Sequence, residues 1–503
     1  MLKKTLLGII LVLLLFVSFF PRSIEVLNGN PVFETDQGRD YMAAKSIVAD
    51  HKLTLIGAEL GAGQAGLQFL FHGPGYFYLI ALALIVFNGN PVGGVFFMLL
   101  FGLSAIAFSM YFTSKMFNKY AGLFMGFLVA LCPFFIGQSR LMENHFPSVV
   151  FIMLIFYLVY VFTKDKKTKY IFWATFISAA IYNFEFALSI PLTITLLMYV
   201  VIILRTKIIR KIPVILGALI LGYLPMILFE GKHGFMGIKS VFTYLFSHHP
   251  TNSVSPGFGK HAIDIFNLYV YSFTDSFAGH LLLPVAFVLP LFIALIAFVY
   301  YKEKSKVFKT YFIYILLLYP LNFAIFLLLR NIVFLHYIID LYVANLLLTV
   351  YVLWFLYKQK YYWLGGIIFA YVLLLFGFGT INAYNVSKSD YFDYGGVHKL
   401  RAKIEAVDFI YNDAKGKPFG LFSFDPPVYT YQYDYAVWWQ GTTKYHYLPT
   451  QSKNGVFYLL IEPDLAKPWT YKGWEETIIK SGKVVFTKVM PNSGLIVEKR
   501  IAE

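Results

Sequence analysis

Two acids four residues apart open the chemistry of this chain: Asp36 and Asp40, in the run Phe33-Glu34-Thr35-Asp36-Gln37-Gly38-Arg39-Asp40-Tyr41 just after the first hydrophobic segment. A helix beginning near Thr35 places both carboxylates on one face at its N-terminal end, where a carboxylate can serve as an acid or a base. The same placement suits a helix cap, with Thr35 or Asp36 as the N-cap residue. A polar stretch later comes His72-Gly73-Pro74-Gly75. There the histidine is a general base, a phosphate ligand or only a polar entry to a helix, and Gly-Pro signals a turn and a helix start. Arg140, Glu143, Asn144 and His145 close another apolar run. A salt bridge to an outer-loop acid accounts for Arg140 as well as a chemical role does, because charges at the membrane edge pair by default. Glu230-Gly231-Lys232-His233-Gly234-Phe235 ends a later run and otherwise reads as an interfacial anchor.

These residues stand out because nearly everything between them is apolar. The chain has 503 residues, 58% hydrophobic, 19% aromatic and 14% charged, with a mean hydropathy of +0.65. Soluble domains carry about 25% charged residues, so this is a polytopic membrane protein. The first run, Thr5 to Phe20, follows Lys3 and Lys4 and ends in Phe19-Phe20-Pro21-Arg22, which offers no small-residue cleavage site, so it is expected to stay as an anchor. Ten further runs follow: 95–112, 121–137, 146–162, 170–182, 187–204, 213–229, 281–300, 311–329, 336–355 and 363–380. Tyr76 to Phe87 falls below the ~20 residues needed to cross. It is expected to lie at the interface.

Charge fixes the sidedness. With about 11 spans and the interfacial helix left out, the turns near 115–119, 164–169, 205–211, 302–309 and 358–360 share one side with Lys3 and Lys4. They hold eighteen basic residues against Asp165 and Glu303. The positive-inside rule makes that side, and the N-terminus, cytoplasmic. The formal charge of +15 is therefore mostly topology and says nothing for nucleic-acid binding. Every other acid falls on the outer side, in loops 21–75 and 230–279, at span ends, or in the tail. Three regions result: a seven-span module over 1–235, an outer loop with four spans over 236–382, and a soluble extracytoplasmic domain over 383–503. In that last region a helix over 398–412 and strands over 419–424, 456–461, 484–489 and 494–499 predict a small α/β fold.

Other chemistries lack their signatures. There is no Walker loop, no His-Glu-x-x-His and no nucleophile elbow. Cys132 is the one cysteine, so an intrachain disulfide or thiolate metal cluster is excluded. Adjacent side chains of His248-His249 diverge, no carboxylate stands at ligand spacing, and no metal site is assigned. Trp438, Trp439 and the tyrosines 429, 431, 433 and 435 can stack on sugars, but as amphipathic rings they fit a domain core or an interfacial rim better.

In order and placement these motifs resemble the GT-C glycosyltransferases that use polyprenyl-phosphate sugars, specifically the branch of protein O-mannosyltransferases and lipid A aminoarabinose transferases. Asp36-Gln37 stands at that family's acidic pair in the first outer loop, with Gln in place of the second acid. His72-Gly73-Pro74 matches its His-Pro-Pro element with Gly for the first Pro. Ser139-Arg140 fits its Ser-Arg element, with His145 where an Asp often follows. The Glu230 segment resembles the opening of the second large outer loop.

The resemblance implies a GT-C fold and transfer of a sugar from a polyprenyl-phosphate donor to a lipid, glycan or protein acceptor at the outer face. Asp36 is then the general base, with Asp40, Glu143 and Glu230 as further catalytic acids. Arg140 is the foremost ligand of the donor phosphate, because guanidinium contacts are bidentate, followed by Arg39, His72, Lys232 and Arg330. His145, Asn144 and His233 are left to contact substrate. A lipid phosphate is already a good leaving group, so the paired carboxylic acids of a glycosidase are unnecessary. Inversion at the anomeric carbon is implied by the family alone. No cofactor is certain, and a divalent cation is the one candidate. A transporter or flippase of lipid-linked sugars is the alternative, although its essential charges belong near mid-bilayer. A non-catalytic scaffold would leave the Asp36 loop without a purpose.

Overall fold

The structure, a computed structural model, describes residues 2–60, 68–246, 257–277, 285–329, 333–426, 429–464, 466–467 and 469–502. It is predominantly helical. The anchor α1 (Leu2–Arg22) and short α2 (Ile24–Asn28) lead to α3 (Thr35–Val48), which carries the acidic pair. The expected interfacial helix is α4 (Gly75–Val86), twelve residues long and so about 18 Å. Asn88 and Gly89, both at positive φ, end it before α5 (Val92–Met116). Next come α6 (Lys119–Leu131), α7 (Pro133–Gln138), α8 (Ser148–Asp165) and α9 (Thr168–Ala180). Asn118 starts α6 by accepting the backbone N–H groups of Tyr120 and Ala121. Small residues seat α6 on α5: a Cβ on Gly122 would lie 1.8 Å from Ser114 Oγ, and one on Gly126 3.2 Å from Met110 Cβ. Without a hydrophobic drive between helices in lipid, such close packing is what holds them.

The stretch 186–222 is apolar enough to pass for one 37-residue helix, but it is two. Arg205 at φ 50° breaks it into α10 (Phe186–Leu204) and α11 (Ile212–Gly222). Lys211 at the start of α11 donates to Thr168 at the start of α9, while Gly222 at its end packs on Ala179. Thus α11 runs beside α9. Next are α12 (Leu224–Lys232), α13 (Met236–Phe246), α14 (Phe258–Asp275), α15 (Val285–Lys302), α16 (Lys306–Leu329), α17 (Ile339–Lys358) and α18 (Tyr362–Phe392). The apolar stretch that contains α17 is 89% buried and forms the hub, whereas that of α18 is 17% buried and lies outermost. Among the described residues, six helical stretches are long and apolar enough to cross a membrane and others are shorter. The chain is an integral membrane protein.

The basic turns meet at one end. Phe117 stacks on Phe308 at 5.4 Å and packs on Trp354 at 5.2 Å, Lys358 sits over Trp354, and Lys166 lies close enough to Lys306 to add to the lowering of its pKa by burial. Helix α1 ends far from them, with Arg22 donating to Val129 O near the end of α6.

Beyond α18 the tail forms α19 (Leu400–Ala414), β1 (Gly420–Phe424), α20 (Tyr431–Gln440), β2 (Val456–Ile461), α21 (Thr470–Trp474), β3 (Lys483–Val489) and β4 (Ile496–Ile501). The sheet order is β1-β2-β4-β3, with β1 parallel to β2 across α20 and the other pairs antiparallel. Ala406, Val407 and Ile410 of α19 pack on Leu421, Tyr458 and Leu460. The exposed edge strand β3 bears Lys483 and Lys488, which discourage pairing with another chain. Helix α18 continues helically through position 383 to Phe392.

The tail is clamped onto the acidic helix. Tyr435 packs on Tyr41 at 4.9 Å and donates to Gly89 O at 2.6 Å, and Trp439 donates to Asn88 O. Those aromatics therefore serve as a docking surface. A Cβ on Gly38 would lie 2.3 Å from the Gln432 backbone nitrogen, so only glycine admits α20 this close. Gly38→Val is expected to detach α20, because overpacking of a filled contact costs about 1–3 kcal/mol. Limited proteolysis should then release the tail faster than from wild type. Gly366→Val, where an added Cβ meets nothing within 4 Å, should leave the rate unchanged.

Candidate active site

Helix α3 begins one residue from the expected cap. The N-cap is Glu34, whose side chain accepts the Gln37 N–H while Gln37 Oε1 accepts the Glu34 N–H, a capping box. Neither Thr35 nor Asp36 fills that role. Asp36 is left with its side chain 67% exposed, one turn from Arg39, whose Nη1 donates to Asp36 Oδ1 at 2.7 Å. The same guanidinium reaches Asp40 through Nε at 2.9 Å and Nη2 at 2.8 Å. Burial pushes the Asp40 carboxyl up to about 6 against the pull of Arg39. The pair is thus asymmetric, with one acid open to solvent and one enclosed.

Gln37, the amide at the family's second acidic position, has a partner that an ionised carboxylate would lack. Its Nε2 donates to Glu143 Oε1 at 3.1 Å. Burial pushes Glu143 up to about 8, and the charges of Asp36 and Asp40 add to the shift. At neutral pH Glu143 is largely a protonated acid beside a charged one. No motif or spacing points to Tyr76. Its hydroxyl is buried, has no hydrogen-bond partner among the described residues and senses both Asp40 and Glu143.

His72 is held in a short ladder, with its N–H donating to Ala58 O and its carbonyl accepting from Gly57. Its Nδ1 accepts the Phe186 N–H at 3.0 Å. Burial, then Arg39 and His336, push the imidazole down to about 3. As a phosphate ligand His72 would therefore act through a neutral N–H and not as a cation. Gly73 fits where the family has proline for two reasons. Its N–H donates to Tyr182 O at 2.9 Å, which proline lacks, and a Cβ there would meet Asn183 Oδ1 at 2.6 Å.

The remaining expected residues are spread wider. Arg140 is engaged twice, with Glu25 at 2.6 Å and Asp390 at 2.7 Å. That is the salt bridge weighed for it, with α2 and α18 supplying the acids. Asn144 donates to Phe184 O, tying its loop to the α9–α10 turn, and His145 Nε2 lies 2.5 Å from Gln138 Oε1. Glu230 is buried, and its oxygens accept the N–H groups of Gly237 and Ile238, so it caps α13 and does not join the Asp36 cluster. Lys232 and His233 are exposed, the latter stacked on Phe229 at 4.1 Å. Arg330 and His248-His249 lie outside the described residues.

Parts of the chain resemble known proteins in sequence and in fold. Residues 71–229 match the family model for dolichyl-phosphate-mannose-protein mannosyltransferase. The crystal structure of ArnT from Cupriavidus metallidurans bound to undecaprenyl phosphate is 12% identical, with a TM-score of 0.60 over 100% of this chain and 98% of that one. The same protein in the apo state is 11% identical, with a TM-score of 0.60 over 100% and 99%. The archaeal oligosaccharyltransferase AglB from Archaeoglobus fulgidus, in complex with an inhibitory peptide and a dolichol-phosphate, is 15% identical with a TM-score of 0.46 over 98% and 74%. No curated protein matches the sequence. The chain therefore has the GT-C fold seen in ArnT, and within it residues 71–229 are similar to the dolichyl-phosphate-mannose-protein mannosyltransferase family model.

Proposed function

We propose that this protein is a membrane glycosyltransferase that moves a sugar from a polyprenyl-phosphate donor to a hydroxyl acceptor at the extracytoplasmic face. The observation that carries this reading is the exposed Asp36 carboxylate, set beside Arg39 and close enough to Glu143 to raise its pKa, at the end of the molecule away from the basic turns. Asp36 takes the acceptor hydroxyl proton, the oxygen attacks the anomeric carbon, and the bond from that carbon to the phosphate oxygen breaks with inversion. The lipid phosphate leaves with the electron pair. In this reading Arg39 and the His72 N–H receive it, and Arg140 joins them by exchanging one carboxylate partner for phosphate. Asp40, enclosed and paired to Arg39, tunes that guanidinium. Glu143, largely protonated, donates to charge developing on the leaving group.

The positive-inside rule then puts the N-terminus in the cytoplasm and the C-terminal domain, taken as 383–503, outside. Region 1–235 supplies the catalytic module. Purified protein supplied with a panel of polyprenyl-phosphate sugars is expected to release lipid phosphate with at least one of them when acceptor lipids, glycans and peptides are present. Release with none would overturn the reading.

A further inference from the structure

Beside the acids of α3 lies a second cluster that the transfer reaction does not use. His145 comes from the loop before α8, Glu185 from the turn between α9 and α10, and His336 from the turn before α17. One ligand atom from each lies within 4.8 Å of the other two. The imidazoles of His145 and His336 stack with centroids 4.4 Å apart and planes 11° apart, and Glu185 Oε2 lies 3.9 Å from His336 Nε2.

Two observations suit the cluster to a cation. His145 is 3% exposed, and among the described residues its Nδ1 has no hydrogen-bond partner, an arrangement rare in folded proteins and usually resolved by a water or an ion. With Nε2 donating to Gln138 Oε1 at 2.5 Å, Nδ1 carries a bare lone pair. A metal-bound imidazole has this arrangement, with its outer nitrogen held by a second group. Moreover, Glu185 is buried, and among the described residues its ion-pair partners are only His72 and His336. Its Oε1 accepts the Ala187 N–H at 3.1 Å, while Oε2 faces His336.

We propose that His145, Glu185 and His336 form a binding site for a divalent transition-metal ion of the zinc class. Two imidazole nitrogens and one carboxylate oxygen suit zinc, cobalt or nickel. Magnesium and calcium favour oxygen donors throughout. Three protein ligands leave a tetrahedral ion one open position, and His336, 31% exposed, gives entry from outside. The site stands independently of the transfer reaction, and its test reads metal content.

Full-length protein in detergent, stripped with chelator and then given zinc or magnesium, is desalted and its metal measured by mass spectrometry. About one zinc per chain and no magnesium is expected. His145→Ala and His336→Ala should each lose the zinc, while Gln138→Ala should weaken it by ~10–100-fold, as loss of an outer partner does. Cobalt in the stripped wild type should give the visible absorption of a tetrahedral site, a reading that does not depend on any variant folding. Wild type that holds no zinc and shows no cobalt absorption overturns the site. Zinc retained in full by the folded double variant His145→Ala/His336→Ala overturns it equally, by placing the metal elsewhere.

Discussion

Replacing Asp36 with asparagine is expected to slow sugar transfer by about 10²- to 10⁴-fold, the usual contribution of a positioned general base. Binding of the lipid donor should change little. The reason lies in what Asp36 does not do. Glu34 caps the helix, Tyr41 rather than Asp36 holds the buried packing beneath it, and Asp36 is mostly exposed. The change therefore removes basicity and weakens only the exposed contact with Arg39. Single-turnover transfer and donor affinity, measured separately, check this. A variant that transfers at the wild-type rate would remove Asp36 from the chemistry, and one that loses donor binding in equal measure would make it a ligand instead. Asp40→Asn should behave differently. Asp40 is enclosed and bonded twice to Arg39, so its loss frees the guanidinium and should alter donor KM along with kcat.

Arg140→Met is the change expected to harm the fold most among the site residues. It leaves Glu25, a 5% exposed carboxylate, buried without its cation. Breaking such a pair on one side costs about 3–5 kcal/mol, and the Asp390 arm adds less because that side chain is 34% exposed. The double variant Glu25→Leu/Arg140→Met removes both charges and should recover most of the loss. Thermal unfolding in detergent gives the comparison. If the single variant is no less stable than the double, the ion pair is not what joins α2 to the loop after α7. Donor KM in the double variant then reports separately on the proposed phosphate contact.

Much of the frame was legible in the sequence because it rests on local signals. The short helix α4 was readable from a brief apolar run closed by Asn88-Gly89-Asn90-Pro91, and β2 over 456–461 from a run of apolar residues. The charge of the turns likewise foretold that they would share one end. What escaped was whatever depends on chain segments meeting. Glu34 outcompeted Thr35 and Asp36 as cap because Gln37 completes the capping box. Glu25 and Asp390, from opposite ends of the chain, gave Arg140 partners that no spacing could name. Tyr76 looked like one more aromatic at a helix start, and Glu185 and His336 looked like ordinary span ends. Glu230 stood at a persuasive place in the order of motifs, yet the helix that follows it takes both its oxygens.

The continuity of α18 has a mechanical consequence. Thirty-one helical residues without a break make a rod of about 47 Å. Its far end is pinned to the site loop through Asp390 and Arg140, while α20 grips α3 on the other side. A body fastened at two separated points can turn only about the line that joins them, which restrains the tail from opening as a free lid.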